Sequence, residues 1–300
     1  MGHRVVVDWS PAYELIVSLR AYVRETPKTL ELSSDWWAAA KPRVGPDLVA
    51  EEQFHFTGWL YLFAWLCPQK QEATGFLRWL ADLSVGAFYE LLAPYIGKGC
   101  PALPQDLGAS RDAAVRFLGR WYEGYFCHVD PAILRALGTE AKARRAQAAI
   151  MAPEDLFEQV TNGMHLVPSE ALETVLLVPH YHYRPLELQQ RWHGLRLCCY
   201  QADVLPTAPG EPPPALLRLT RALDDESRLR ILRFLAYEPH GFSEVVQEMG
   251  LSKSTVHYHL ALLRAAGLLR MDGWGNETVY RLRSSALDAL EKLLRDYFLN

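Results

Sequence analysis

The sequence has 300 residues, of which 50% are hydrophobic and 22% are charged, and its formal net charge is -4. This composition excludes a fibre or a largely disordered chain, and the length predicts about two globular domains. The acidic balance argues weakly against a nucleic-acid partner, because a whole-chain average hides how the charge is distributed.

Cysteine use and hydropathy predict a cytoplasmic protein without a membrane span. The five cysteines are scattered and form no CxxC pair, which is typical of reduced thiols. The amino terminus shows no secretory signal. The longest uncharged stretch, Gln53 to Gln69, is only seventeen residues long, so a buried helix explains it better than a membrane crossing.

The first two hundred residues predict a mostly helical domain with a small β element. A short strand at Val5 to Val7 precedes Ser10-Pro11, which is an N-cap followed by a proline at the first helical position. After this first helix, apolar periodicity predicts helices at 47–65, 72–93, 111–126, 131–149 and 153–161, and β-branched and aromatic runs predict strands at 174–183 and 194–200.

A proline-rich segment predicts the domain boundary. Residues 204–214 read VLPTAPGEPPP, with five prolines and one glycine in eleven residues, a composition that sustains neither a helix nor a central strand. We therefore expect a regulatory domain at 1–203, a linker at 204–214 and a second domain at 215–300.

The second domain shows a helix-turn-helix pattern followed by a wing. Helices are predicted at 215–223, 227–237 and 242–249, and Gly250 then allows a left-handed turn before Ser252 caps a helix at 253–266. Strands at 268–271 and 278–282 flank a glycine-containing loop, and a last helix covers 284–298. The fold class expected for the chain is therefore mainly α, with a carboxy-terminal winged helix-turn-helix.

Helical geometry predicts which side chains read DNA. Val256, Leu260 and Leu263 form one buried stripe, and Tyr258 lies almost opposite to it. Second helices of this kind enter the major groove, and their amino termini attract phosphate. The predicted DNA contacts are Ser252, Lys253, Ser254, Thr255, His257, Tyr258, Arg264, Arg270, Trp274 and Arg281.

Several sequence blocks in this region resemble ArsR-type transcriptional regulators. They read SRLRIL at 227–232, LSKSTV at 251–256 followed by His259-Leu260, and LRAAGLL at 263–269. The resemblance covers residues 214–300 and implies a homodimeric repressor. It also implies that the first and last helices of the domain form the dimer interface, with Leu216, Leu219, Leu287, Leu290, Leu294 and Tyr297 as contacts.

The sequence departs from that family in two respects. Metal-sensing members use cysteines on the first helix of the helix-turn-helix or Asp and His pairs on the last helix, but 242–249 lacks cysteine and 284–300 lacks histidine and cysteine. Those metal sites are therefore absent, and we expect no cofactor. The wing tip carries Trp274 between Asp272 and Glu277, which makes minor-groove contact doubtful.

Local charge favours DNA as the partner. Residues 251–283 contain five basic and two acidic side chains, a net charge of +3. Basic charge is thus concentrated on the predicted DNA-reading surface. A winged helix used only for protein contacts remains the alternative, because a fold alone does not define a function. Symmetry of a dimer predicts that the operator is an inverted repeat.

Histidines and tryptophans leave two further hypotheses open for the first domain. His180, His182 and His193 could hold a metal ion in a hydrolase, although ordinary half-buried strand histidines are the favoured interpretation. No catalytic motif accompanies them, so we expect no enzyme activity. The tryptophans that could line a pocket for a small apolar effector, or simply form core, are Trp9, Trp36, Trp37, Trp59, Trp65, Trp79 and Trp121.

Overall fold

The computed structural model describes residues 3–24, 30–32, 34–45, 57–97, 100–166, 172–205, 208–273 and 278–299. Contacts divide the chain into two units. Unit 1 comprises Met1–Ile150 and Ser169–Val204, and unit 2 comprises Met151–Pro168 and Leu205–Asn300. The segment Met151–Pro168, which the sequence placed in the first domain, therefore belongs with the carboxy-terminal region.

Helices make up most of unit 1. In chain order they are α1 (Pro11–Arg24), α2 (Ser34–Val44), α3 (Thr57–Leu66), α4 (Ala73–Asp82), α5 (Val85–Leu92), α6 (Leu107–Gly124) and α7 (Pro131–Ala148). Asp106 and Asp130 cap α6 and α7 by accepting hydrogen bonds from backbone amides. The mainly helical class is confirmed.

Four strands form the sheet of unit 1: β1 (Arg4–Val7), β2 (Leu172–His180), β3 (Leu188–Trp192) and β4 (Gly194–Gln201). Their order is β1-β2-β4-β3, with β1, β2 and β4 parallel and β3 antiparallel to β4. Residues 175–178 of β2 and 197–199 of β4 are completely buried, which is typical of a parallel sheet covered on both faces.

The core of unit 1 is built around α1 and α3. Side chains of α3 from Trp59 to Ala64 are fully buried, so this helix is apolar on every side rather than amphipathic. The helix predicted at 47–65 is thus a core helix from Thr57 onward, and its first part, 47–56, lies outside the described residues. None of the described helices is both long enough and apolar enough to cross a membrane.

Three predictions for unit 1 need correction. The helix expected at 72–93 is broken, because Leu83 is extended and the Ser84 side chain caps a new helix by accepting from the Ala87 amide. The sequence missed α2, whose weak periodicity reflects a largely exposed helix. It also missed β3, where three polar or charged residues obscure the strand pattern.

Unit 2 contains the predicted winged helix-turn-helix. Its helices are α8 (Pro153–Val160), α9 (Pro214–Leu223), α10 (Glu226–Tyr237), α11 (Phe242–Met249), α12 (Lys253–Ala265) and α13 (Ser285–Leu299). Strands β5 (His240–Gly241), β6 (Leu269–Asp272) and β7 (Val279–Leu282) form a sheet in the order β5-β7-β6. All bounds in the helix-turn-helix agree with the sequence predictions to within one residue.

Candidate nucleic-acid interface

The turn between α11 and α12 sets the position of the predicted reading helix. Gly250 adopts a left-handed conformation with φ of 65°, and its amide closes α11 by donating to the Val246 carbonyl. Ser252 then caps α12, because its Oγ accepts from the Thr255 amide at 3.2 Å. Ser252 Oγ also lies 2.9 Å from Ser254 Oγ and 2.7 Å from Thr255 Oγ1. The Ser252 hydroxyl therefore contacts both Ser254 and Thr255 in the first turn of α12.

The two faces of α12 separate as the sequence predicts. Val256, Leu260 and Leu263 are buried in the core of unit 2. On the opposite face Ser252, Lys253, Ser254 and His257 are exposed, Tyr258 is 56% exposed, and Thr255 is half-buried. His257 faces solvent while His259 is buried, which places the two rings on different sides of the helix and rules out a shared metal ion. The exposed face offers hydroxyls, an ammonium and a phenol to a ligand.

Beyond the reading helix, the predicted basic contacts differ in environment. Arg281 on β7 is exposed, whereas its ladder partner Arg270 on β6 is half-buried and lies 3.4 Å from the Asp272 carboxylate. Arg264 near the end of α12 is also half-buried. Trp274 at the wing tip lies outside the described residues.

A second carboxylate meets Arg270 from the segment that precedes the linker. Glu158 on α8 approaches Arg270 to 3.5 Å and Arg283 to 3.8 Å. Part of the positive charge counted between 251 and 283 is therefore balanced by a residue far outside that window, which the sequence gave no reason to expect. Among the basic residues at 251–283, Lys253 and Arg281 are exposed, whereas Arg264, Arg270 and Arg283 are half-buried.

Sequence reasoning also missed the role of Arg228. Its guanidinium is buried and donates to the carbonyls of Ala222 at 2.8 Å and Arg221 at 2.8 Å, which are the last carbonyls of α9. Asp225 caps α10 by accepting from the Arg228 amide, and this bond lowers the pKa of Asp225. Arg228 thus fixes the corner between α9 and α10. The SRLRIL block at 227–232 contains Arg228 and is the sequence feature that could have indicated its role.

The predicted dimer contacts fall into two groups. Leu216 and Leu219 on α9 are already buried in the monomer. On α13, Leu287 is 46% exposed, and Leu290, Leu294 and Tyr297 are half-buried. Phe298 and Leu299 at the end of this helix are about 70% exposed. The accessible apolar surface therefore lies on α13 and not on α9.

The three histidines proposed as metal ligands do not come together. Because β2 and β4 are parallel, with Leu172 opposite Gly194 and His180 opposite Gln201, His193 lies at the other end of the sheet from His180. Eight residues of strand separate the two ends, about 26 Å. A single ion cannot bind His180 and His193 at that distance, so this metal site and the hydrolase based on it are wrong.

His182 belongs instead to a buried chain of hydrogen bonds. The indole Nε1 of Trp36 donates to the Tyr125 hydroxyl at 2.6 Å, and that hydroxyl lies 2.6 Å from His182 Nε2. His182 Nδ1 lies 2.6 Å from Glu14 Oε1, and Glu14 also accepts from the amides of Tyr181 and His182. The chain is satisfied with one buried charge when Tyr125 donates to Nε2 and Nδ1–H donates to the carboxylate.

Burial and hydrogen bonding act on Glu14 in opposite directions. Burial raises the pKa of this carboxyl, but the hydrogen bonds that it accepts from His182 outweigh burial and leave the pKa below its ordinary value. Burial also lowers the pKa of His180 to about 4. Around this chain the rings of Tyr22, Trp37, Trp121 and Tyr125 contact Trp36 with centroid distances of 4.5 to 6.2 Å.

Comparison with known proteins identifies the carboxy-terminal module. Residues 223–272 match a family model described as a helix-turn-helix domain. No curated protein is similar enough to this chain to match it.

Several solved structures are similar to part of the chain. An ArsR-like transcriptional regulator from Rhodococcus sp. RHA1 is 28% identical, with 27% of this chain and 77% of that chain covered and a TM-score of 0.26. HlyU from Vibrio cholerae is 29% identical, with 29% and 94% covered and a TM-score of 0.23. NolR from Sinorhizobium fredii is 25% identical, with 31% and 96% covered and a TM-score of 0.25.

The family match, the exposed face of α12 and the wing agree with the sequence blocks at 227–269. The predicted helix-turn-helix is confirmed, and its family supports a DNA-binding transcriptional regulator. The carboxy-terminal region is therefore a winged helix-turn-helix, and it resembles ArsR-type regulators.

Proposed function

We propose that this chain is a cytoplasmic, homodimeric transcriptional repressor that inserts α12 into the major groove of an inverted-repeat operator. The observation that carries the proposal is the solvent-exposed first turn of α12, where Lys253, Ser254 and Tyr258 project opposite the buried stripe. Ser252 caps that turn, and free amides at a helix amino terminus favour phosphate. Lys253 and Arg281 supply the charge, while the hydroxyls and Tyr258 reach base edges.

The dimer interface in this proposal lies on α13. Leu287, Phe298 and Leu299 leave apolar area exposed that a second copy would cover. Two copies related by a two-fold axis place two α12 helices in successive major grooves, which is the reason for an inverted repeat. Analytical ultracentrifugation of the full chain should show a dimer, and Leu287→Glu together with Phe298→Glu should shift it to monomer.

Unit 1 acts as a sensor in this proposal and not as an enzyme. The support is the aromatic cluster around Trp36, whose indole is held by a single polar bond to Tyr125. A small apolar ligand that displaced this indole would change tryptophan fluorescence and, by linkage, operator affinity. A metabolite screen that leaves both quantities unchanged would favour a purely structural role for unit 1.

The experiment for DNA binding begins with selection of duplexes from a random pool, because the operator sequence is unknown. Binding of the full chain to a selected duplex should fall with salt, and Tyr258→Ala should weaken it by about 1 to 3 kcal/mol. Lys253→Ala should weaken binding to all duplexes and reduce the salt slope by about one. Lys292→Ala, which removes an exposed lysine from α13, is the matched control.

A protein-interaction module is the second candidate, and the carboxylate of Glu158 beside two wing arginines favours it by reducing the free basic charge. If no duplex is enriched by selection, and binding to mixed DNA is unaffected by Lys253→Ala, the DNA-reading proposal fails and this candidate replaces it.

A further inference from the structure

The wing sheet of unit 2 is extended by a segment that lies far upstream of the helix-turn-helix. In the order β5-β7-β6, strand β6 is one of the two edge strands, and residues 163–165 pair with it in parallel. The Met271 amide donates to the Gly163 carbonyl at 2.8 Å, and the His165 amide donates to the Met271 carbonyl at 2.7 Å. The segment 153–166, here called the wing brace, therefore covers an edge that would otherwise be open.

Two glycines make this close approach sterically feasible. Gly163 has a φ of 116°, and a Cβ at this position would collide with the Leu269 carbonyl oxygen on β6. Gly267, at the turn between α12 and β6, has a φ of 72°, and a Cβ there would collide with the Asn162 side chain. The absence of a side chain at Gly163 thus lets the brace backbone approach β6, and its absence at Gly267 leaves room for the Asn162 side chain.

Ion pairs and a side-chain hydrogen bond also connect the wing brace to the wing. Glu158 lies between Arg270 at 3.5 Å and Arg283 at 3.8 Å, and Arg283 Nη1 donates to Asn162 Oδ1 at 3.1 Å. These side chains are 20 to 33% exposed, so solvent screens them only in part. Backbone pairing, steric fit and ion pairs all connect the brace to β6 and to the end of β7.

We propose that the wing brace is a positioning element of the DNA-binding unit, in which Glu158, Asn162 and Gly163 fix β6 and thereby the approach of the wing to DNA. The proposal rests on the DNA-binding function proposed above. The matched helix-turn-helix domain, 223–272, does not include these residues. Leu172, six residues after the brace ends, begins β2 of unit 1, so a displacement of that strand has a short covalent route to the wing.

The backbone half of the proposal is tested in the full chain by hydrogen exchange of Gly163→Ala. The matched control is Gly210→Ala, because Gly210 also has a positive φ, of 83°, but an added Cβ there meets nothing within 4 Å. Gly163→Ala should accelerate exchange of the His165 and Met271 amides at least about tenfold and weaken binding to a duplex selected by the unaltered chain about fivefold. Gly210→Ala should change neither quantity.

Glu158→Gln tests the ion pairs of the brace with Arg270 and Arg283. This variant also tests the proposal if Gly163→Ala does not fold. Its control is Asp155→Asn, an exposed acid on the same helix, so both variants gain the same net charge and the same general attraction to DNA. Only Glu158→Gln should lower the preference for the selected duplex over a scrambled one, by about threefold.

The outcomes separate this proposal from the function on which it rests. Failure to select any duplex overturns the proposed DNA-binding function. Unchanged exchange at Met271 in Gly163→Ala overturns the brace, as does faster exchange with unchanged duplex affinity. Equal effects of Glu158→Gln and Asp155→Asn on duplex preference overturn the positioning role of Glu158.

Discussion

The two units place their polar groups differently. Unit 1 hides Glu14, His180 and His182 in its core, with 0 to 1% of each exposed. Unit 2 exposes Lys253 and Tyr258 on a helix whose other face is core. The periodicity of a helix predicts which of its polar residues lie opposite a buried stripe and are exposed. The positions of polar residues inside a core depend instead on the elements that pack around them.

The two units also differ in how far apart in the sequence the partners of their buried polar groups lie. The buried guanidinium of Arg228 in unit 2 bonds to carbonyls six and seven residues away. The carboxylate of Glu14 in unit 1 bonds to His182, 168 residues away. Local polar contacts form with the helices that carry them, whereas the Glu14 network exists only when α1 and the end of β2 have come together. Unit 1 should therefore be the more sensitive to loss of one buried polar group.

The largest expected effect is that of Glu14→Ala. The change removes the acceptor of the His182 ring and of two backbone amides, so it should destabilise unit 1 by about 3 to 5 kcal/mol. Urea denaturation followed by tryptophan fluorescence measures the loss. Glu123→Ala, at an exposed position of α6, should cost less than about 0.5 kcal/mol. Equal losses in the two variants would contradict a special role for the buried chain.

Acid should destabilise unit 1 through His180. Burial lowers the pKa of this imidazole to about 4. The unfolded chain therefore binds the proton first as pH falls, and folding stability declines between about pH 6.5 and 4, by at most about 3 kcal/mol. Glu14 adds to the decline at lower pH, because its pKa is lowered in the fold and the stability it contributes is lost as the carboxylate is protonated.

His180→Leu should flatten the pH dependence above pH 4, measured as urea midpoints at a series of pH values. His128→Leu, at an exposed position, should leave the slope unchanged. A slope that persists in His180→Leu would assign the acid sensitivity to other groups.

The neighbouring arginines Arg270 and Arg281 sharpen the comparison within unit 2. Arg281 is exposed, so Arg281→Ala should reduce the salt slope of duplex binding by about one without changing stability by more than about 0.5 kcal/mol. Arg270 already faces Glu158 and Asp272, so Arg270→Ala should leave the salt slope nearly unchanged and cost about 1 kcal/mol of stability. A reduced salt slope in Arg270→Ala, with an unchanged slope in Arg281→Ala, would show that Arg270 contacts phosphate.

The smallest expected effect is that of Ser252→Ala. Loss of the cap on α12 should lower the stability of unit 2 by about 1 kcal/mol, since the Thr255 amide loses its acceptor. Thermal unfolding of the full chain measures it, with Ser243→Ala at an exposed position of α11 as the control. A shift no larger than that of the control would show that solvent replaces the hydroxyl.

The sequence by itself determined the helix-turn-helix. Gly250, the Ser252 cap and the stripe Val256, Leu260 and Leu263 define that structure within fifteen residues, because capping and periodicity act over one or two helical turns. The same short range explains the correct start of α7 at Pro131, directly after its Asp130 cap, in unit 1. It also explains the failure at Ser84, where a cap interrupts an apolar pattern that continues on both sides.

Only the tertiary structure decided how distant segments combine. It joined Glu158 and Gly163 to the wing, separated His193 from His180 through the parallel register of β2 and β4, and linked Glu14 to His182. In each case the residues concerned are far apart in the sequence, so no local sequence pattern predicts whether they meet. Parallel strand pairing and buried hydrogen-bond networks depend on the fold as a whole, because each is stable only when the surrounding core excludes water.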